Sequence, residues 1–468
     1  MIDTPEYQFV KEIIPTEIEE NSILNIVTRD VNTHTHGFHK YPAKFIPHIP
    51  KWAIGKYLNG NKDKNILDPF CGSGTTLVEG VLAGYNVIGV DIDPLSAMIS
   101  KVKITRVDKK TLKEISVWLV KEIKTNRKGT FKPDCETIEH WFTKSTIKKL
   151  SAIRTLINQI PQKFGNGKKV KDIQDLLLIC FSSIIRRVSN ADNESQKTYV
   201  SHTKVKEPVE VNSLFFSQLD LFVDRATKFS SVTNSKTKNK IIHSSSAASL
   251  EKKLNGLQID LAVTSPPYIK AIDYIYNQMV ELFWIGDLFQ MQTQTKQNEK
   301  KIQYIGNKQI SKTEFNKYTP YNTILSIDKL DEKLKEIYDT DTKNGHKHSY
   351  ITFKYFAEME KHFAEMSKCL TTGTHYVVVV GDSNVSDIFI NTADFLIDIA
   401  ERNGFRITNK WGYKIKNRFM RFDRKGRGGI IEIDWVLDFE RKSQLTKKYN
   451  LKKRTNLEPS PPLPSDFF

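Results

Sequence analysis

Thr264-Ser265-Pro266-Pro267-Tyr268 closes an apolar, strand-like run, Ile259-Asp260-Leu261-Ala262-Val263. Two consecutive prolines cannot donate to a β-ladder, so a strand must stop at Pro266. Their fixed φ values make a stiff corner and leave the carbonyls of Ser265 and Pro266 free to face a ligand. Ser265 adds a hydroxyl acceptor, and Tyr268 a ring face on which a base can stack. This set suits an exocyclic amino group. Two acceptors bonded to its hydrogens draw the nitrogen toward tetrahedral geometry and expose its lone pair to a methyl donor, with no covalent enzyme intermediate. A base handled this way must leave the duplex. The plainer alternative is a proline turn before a helix, with Tyr268 in the core.

Far upstream lies a Gly-rich loop, Asp68-Pro69-Phe70-Cys71-Gly72-Ser73-Gly74-Thr75-Thr76. Gly72 and Gly74 let the backbone approach a ligand, and the helix that follows adds N–H donors and a positive dipole. Asp91 follows Asp68 by 23 residues. That is close to the roughly 20-residue spacing of an acid that accepts hydrogen bonds from ribose hydroxyls. No lysine follows Gly74, which disfavours a triphosphate. The sulfonium of S-adenosylmethionine needs no phosphate cradle and prefers carboxylate and carbonyl groups, which Asp68 helps to supply. The alternative is a tight turn with an N-cap at Ser73 or Thr75.

These two segments must be positioned by a fold. The strand Asn65-Ile66-Leu67-Asp68, a helix over 75–83 and the strand Asn86-Val87-Ile88-Gly89-Val90-Asp91 form a βαβ unit. The fold expected is α/β, a doubly wound Rossmann-like sheet with helical insertions. Residues 1–37 read as a leader, and 38–104 as the cofactor-binding half. Residues 105–238 break the alternation and read as a helical insertion, a candidate for DNA recognition. Residues 239–289 hold the catalytic part. Residues 290–349, rich in Gln, Lys, Asn and Thr, read as a polar insertion or mobile loop. Residues 350–440 complete the sheet, and 441–468 read as a basic, Pro-containing disordered tail.

The 468 residues can bury a full core, and 39% hydrophobic content with 26 Phe, 17 Tyr and 6 Trp is globular. The formal net charge of +17 favours a polyanionic partner, since Lys and Arg that displace counterions gain affinity for nucleic acid. The rival reading is a solvated lysine-rich surface. Cys71, Cys135, Cys180 and Cys369 form no CxxC pair, so neither a disulfide framework nor a structural zinc site is expected, and a cytoplasmic setting fits. No signal peptide is expected, and the longest apolar stretch, 176–185, is too short to span a bilayer, so no membrane partner is expected. The histidines, among them His34, His36, His39, His346 and His348, lack a convincing partner set, and no metal is expected. Over 414–427, Arg418, Arg421, Arg424, Lys425 and Arg427 interleave with Phe419 and Phe422, a pattern suited to nucleic acid. Arg186 and Arg187, with Ser189, Asn190 and Asp192, end an apolar helix; they face either the active site, a phosphate or solvent.

Taken together, these residues resemble the amino-methyltransferase family of DNA modification enzymes, which depend on S-adenosylmethionine. The loop 68–74 resembles their cofactor motif, Thr264 to Tyr268 their catalytic motif, and Val90-Asp91 their ribose-binding strand end. His39-Lys40-Tyr41-Pro42-Ala43-Lys44-Phe45 resembles the upstream motif that closes over the methionine part of the cofactor. The resemblance implies cofactor contacts from Tyr41, Lys44, Phe45, Asp68, Phe70, Gly72, Gly74, Thr75 and Asp91. It implies catalytic roles for Ser265, Pro266, Pro267 and Tyr268. Serine at the first catalytic position is typical of members that methylate the cytosine N4 amine; adenine-N6 members usually carry Asp or Asn there. The expected function is therefore cytosine-N4 methylation of a flipped base in double-stranded DNA. The expected setting is a restriction–modification system with a separately encoded endonuclease. An adenine-N6 or RNA base methyltransferase, or an inactive nucleic-acid-binding module, are the alternatives. Two departures stand out. Ser244-Ser245-Ser246 replaces the usual acid on the third strand, and the helical insertion falls between the second and third strands.

Overall fold

The computed structural model describes residues 8–443, apart from 12, 28–30, 43, 59, 126, 194–196, 202, 204–205, 208, 271–272, 302, 308–309, 311, 341–343 and 416–431. The basic run Arg418, Arg421, Arg424, Lys425 and Arg427, and the tail from 444 onward, lie outside the described residues.

Eleven strands are described: β1 (Gln8–Lys11), β2 (Ile23–Val27), β3 (Asn65–Asp68), β4 (Asn86–Asp91), β5 (Asn239–His243), β6 (Ile259–Thr264), β7 (Leu370–Gly381), β8 (Ser383–Val385), β9 (Ile388–Ile390), β10 (Phe405–Lys414) and β11 (Ile433–Arg441). Nine build one sheet in the order β1-β2-β10-β11-β7-β6-β3-β4-β5, while β8 and β9 form a small separate ribbon. From β5 to β7 all neighbours are parallel, and β11 then runs antiparallel to both β7 and β10. The chain winds outward from β3 to β5 in one direction and from β6 to β7 in the other. The switch point of this Rossmann-like, doubly wound sheet is therefore the crevice between β3 and β6.

The central strands read as unbroken apolar runs because helices cover both faces. Ile66 and Leu67 of β3, and 376–380 of β7, are fully buried. One face packs on the helices His48–Tyr57 and Thr75–Leu82, around Trp52, Leu77 and Val81. The other packs on Gly345–Cys369 and Thr392–Arg402, around Phe356, Phe363 and Leu396.

The long insertion is helical, with helices Lys109–Lys124, Lys144–Phe164, Lys168–Val188 and Val211–Val232. Asp108, Thr143 and Glu210 cap three of them by accepting from the N–H groups of Thr111, Thr146 and Ser213. The insertion has its own apolar core, and Met279, Leu282, Phe283 and Trp284, from just beyond the TSPPY segment, are buried in it. The buried Arg154 bonds the carbonyl of Trp284 and the carboxylate of Asp287, at 3.2 and 2.9 Å. The polar stretch 290–349 carries the helices Gln294–Lys301, Lys312–Lys317 and Asp328–Thr340. Among the described residues, no helix is long and apolar enough to cross a membrane.

Candidate active site

At the carboxyl ends of β3, β4 and β6 lies a cleft. The Gly loop forms its floor. Gly72 has a φ of +47°, and its N–H donates to Asp91 Oδ2 at 2.7 Å. Its carbonyl accepts from Ser100 Oγ at 2.7 Å. A Cβ on Gly72 would sit 3.2 Å from the Tyr41 ring, so only glycine fits both the backbone and the space. Gly74, with φ +78°, is the N-cap of the following helix and packs against Ser100.

Asp91 ends β4 and lines the cleft. Its Oδ1 accepts from the N–H of Asp93 at 2.8 Å. Burial, with the charge of Asp93 adding to it, pushes the Asp91 carboxyl up to about 7. Asp93 caps the next helix through the Ser96 N–H and accepts from the Tyr304 hydroxyl at 3.1 Å. Tyr41 stacks on Tyr274 with centroids 5.8 Å apart, its hydroxyl 2.9 Å from Ser96 Oγ. The segment before Tyr41 is anchored from below: His36 bonds Glu79, and His39 bonds Ser182 of the insertion. Burial lowers His39 to about 4, so it stays neutral in this anchor. Lys44 is held by Asn32 Oδ1 at 2.9 Å.

Of the expected cofactor residues, Tyr41, Lys44, Phe45, Phe70, Gly72, Thr75 and Asp91 line the cleft. Asp68 and Gly74 are not among its lining residues. Asp68 turns inward instead: it is fully buried, and its Oδ1 accepts from the Thr264 hydroxyl at 2.6 Å and the Phe70 N–H at 3.2 Å. It ties the end of β3 to the end of β6 across the switch point. Burial pushes its carboxyl up to about 6, against the pull of the Thr264 hydroxyl.

Of the expected catalytic residues, Ser265 and Pro267 line the same cleft, so the two sequence segments meet in space. Pro266 is buried. Tyr268 is half-buried, and its hydroxyl donates to Asp434 Oδ1 at 2.7 Å. The hydroxyl end of Tyr268 is held by β11, and this bond leaves its ring face unengaged.

Sequence reasoning missed several walls. Tyr274, Gln303, Tyr304 and Ile305 come from beyond the catalytic segment, the last three from the polar insertion. Their signal was two bulky side chains, Tyr304 and Ile305, in an otherwise polar stretch. Ser244, Ser245 and Ser246, noted for lacking an acid, do line the cleft.

A doubly wound sheet with a cleft at its switch point, walled by a Gly turn, a strand-end acid and a proline corner, has the layout in which open α/β sheets bind ligands. Comparison with known proteins narrows this class. The family described as DNA methylase, of the N6/N4 type, matches residues 16–102. The Type II methyltransferase M.MvaI of Kocuria varians is 26% identical over 423 residues, covering 86% of this chain and 88% of that protein. The Type II methyltransferase M.BsoBI of Geobacillus stearothermophilus is 25% identical, covering 70% and 62% respectively. The Type II methyltransferase M.MjaII of Methanocaldococcus jannaschii is 40% identical over 91 residues, covering 19% and 17%. These matches support the N6/N4 type of DNA methyltransferase for this chain.

Proposed function

We propose that this enzyme transfers a methyl group from S-adenosylmethionine to the N4 amine of a cytosine flipped out of double-stranded DNA. The observation that carries the reading is the meeting of Asp91 and Gly72 with Ser265 and Pro267 in one cleft. The groups present fit the cofactor. Asp91 offers carboxylate lone pairs for ribose hydroxyls, Phe70, Ile92 and Ile305 offer apolar surface for an adenine, and the Gly72 turn leaves room for the chain between them. S-adenosylmethionine supplies an electrophilic methyl on its sulfonium. The protein's part is to hold the amine. The Ser265 hydroxyl and the Pro266 carbonyl accept its two hydrogens, which localises the nitrogen lone pair, and the stiff Pro266-Pro267 corner keeps both acceptors in place at no entropic cost during the reaction.

Serine at position 265 favours cytosine over adenine as the target. Similarity to Type II methyltransferases supports a place in a restriction–modification system with a separately encoded endonuclease. The test is product analysis. DNA from cells expressing the chain, digested to nucleosides, should contain N4-methylcytosine. N6-methyladenine as the sole product would move the target, and methylated RNA alone would move the substrate class.

A further inference from the structure

The apolar helix Lys168–Val188 carries Arg186 and Arg187 in its last turn, and the chain beyond it doubles back on itself. Ala191 bridges Val200, and the Asp192 N–H donates to the Tyr199 carbonyl at 2.9 Å. Arg186 holds both arms of this hairpin. Its Nε and one terminal nitrogen donate to the Asp192 carbonyl at 3.1 and 3.0 Å, and the same terminal nitrogen donates to the Lys197 carbonyl at 3.0 Å. The other terminal nitrogen reaches the Asn277 carbonyl at 3.4 Å. The buried Thr198 hydroxyl donates to that carbonyl too, at 3.1 Å. Asn277 shares a short helix with Tyr274, a wall of the cleft. On the other side Lys40 Nζ donates to the Asn193 carbonyl at 3.1 Å, and Lys40 directly precedes Tyr41, another wall. Lys206 Nζ donates to the carbonyls of Arg186 and Ala191 at 2.7 and 3.0 Å. The hairpin is thus tied to two walls of the cleft and stands at its rim.

What it presents outward follows from the alternation of its second arm. Thr198 is fully buried, so Tyr199 faces the other way and is 42% exposed. Lys40 and Lys197 are exposed as well. Arg186 and Lys206 add positive charge beneath them, offset in part by Asp192 and Glu207. An exposed phenol between two ammonium groups suits a nucleic acid: the ammoniums displace counterions from phosphates, and the ring packs on a sugar or a base. A base that leaves the duplex for the cleft leaves the phosphates on either side of it at the rim. The hydrogen bonds fix the hairpin backbone before DNA arrives, so little ordering entropy is lost on binding.

We propose that the arms 189–193 and 197–201, together with Lys40, form a contact surface for duplex DNA beside the cleft. Lys40 and Lys197 pair with phosphates that flank the target nucleotide, and Tyr199 packs against the sugar or base next to it. The helical insertion therefore meets the substrate through one end only. Its other end is also basic: Lys110 and Lys113 are exposed at the start of the helix Lys109–Lys124. The preceding helix, Pro94–Ile104, begins at the cleft, and its 11 residues carry the chain about 16 Å away from it. Position beside the cleft, rather than charge, separates the two faces.

The proposal rests on the reading of the chain as a DNA methyltransferase that acts on a flipped base. The test is titration of a labelled duplex of about 30 base pairs over a series of salt concentrations, with S-adenosylmethionine affinity by calorimetry as the check on folding. Lys40→Gln combined with Lys197→Gln should lower the slope of log affinity against log salt by about two, one for each phosphate, and weaken binding more than about tenfold. Lys110→Gln combined with Lys113→Gln removes the same charge and should leave affinity within about twofold. Tyr199→Ala should weaken binding about fivefold with the slope unchanged, because the ring carries no charge. Cofactor affinity should stay within about twofold in all three proteins. Equal losses in the two lysine pairs would overturn the proposal, since the duplex would then answer to overall charge alone. So would wild-type affinity in Tyr199→Ala. Lys197→Gln by itself, with a slope lower by about one, keeps the test readable if Lys40→Gln disturbs the cofactor wall. Wild-type protein that binds no duplex would instead remove the reading beneath it.

Discussion

Two carboxylates end neighbouring parallel strands at the switch point and take opposite parts. Asp68 closes β3 and faces into the protein, where the Thr264 hydroxyl and the Phe70 N–H take up one oxygen. Asp91 closes β4 and faces the cleft, where the Gly72 and Asp93 N–H groups bind it without covering it. Both are raised by burial. The difference teaches that a strand end delivers an acid to the right region, while its duty depends on the donors nearest to it. Asp68 finds a hydroxyl on the adjacent strand and becomes a brace. Asp91 finds only backbone N–H groups, from the glycine turn and from Asp93, and lines the cleft with lone pairs to spare.

The sharpest way to break this contrast is to remove each acid and measure cofactor affinity by calorimetry. Asp91→Ala should weaken S-adenosylmethionine binding on the order of a hundredfold, the loss expected for hydrogen bonds to a charged acceptor. Asp68→Asn should change it by no more than about threefold, because Asn keeps an acceptor for Thr264 without touching the ligand. Equal losses would mean that the brace and the ligand site are one unit.

A smaller effect follows from the raised Asp91 carboxyl. Its ionised form is the better acceptor for ribose hydroxyls, so bound cofactor favours loss of the proton. Affinity should therefore rise with pH through about 7. Between pH 8 and pH 6 it should fall about tenfold, as the ionised fraction drops to about a tenth. Asp91→Asn has no such proton and should bind with a flat profile across the same range. A wild-type profile that is equally flat would show that Asp91 is not the group that meets the ligand.

How much of this was legible in the sequence follows the same division. The strands were legible because parallel strands covered on both faces are short apolar runs, as in 65–68, 86–91 and 259–264. The Gly loop and the proline corner were legible because each carries its geometry in residue type: Gly72 takes a positive φ, and Pro266 and Pro267 forbid a ladder. The direction in which Asp68 points was not, since it depends on Thr264 lying beside it in the register of β3 on β6. The walls from Tyr274 and Tyr304 were not either, because Tyr274 opens a helix of only one turn and Tyr304 lies in a turn of a polar stretch, so neither carries a periodic signal. Asp434 had no local signal at all: its meaning comes from β11 lying between β10 and β7, which sets it beside Tyr413 and within reach of Tyr268.

The smallest effect tests Asp68 as a brace through stability alone. Its carboxyl is fully buried and one oxygen has no hydrogen-bond partner. The folded protein holds the Asp68 proton more tightly than the unfolded chain does, since burial raises the group from 3.8 to about 6. Acid therefore favours folding through this group, and the contribution is lost as pH rises through about 6. From below pH 4 to above pH 6 that loss is about 3 kcal/mol, set against the large opposing terms of a whole domain. Asn carries no charge to bury, so Asp68→Asn should lack this slope. In urea melts of both proteins, the stability of the variant relative to wild type should rise by up to about 3 kcal/mol between pH 4 and pH 7, while other carboxylates cancel in the difference. A difference that stays constant across that range would mean that Asp68 titrates as an ordinary carboxylate, and that its bond to Thr264 outweighs the cost of burying its charge.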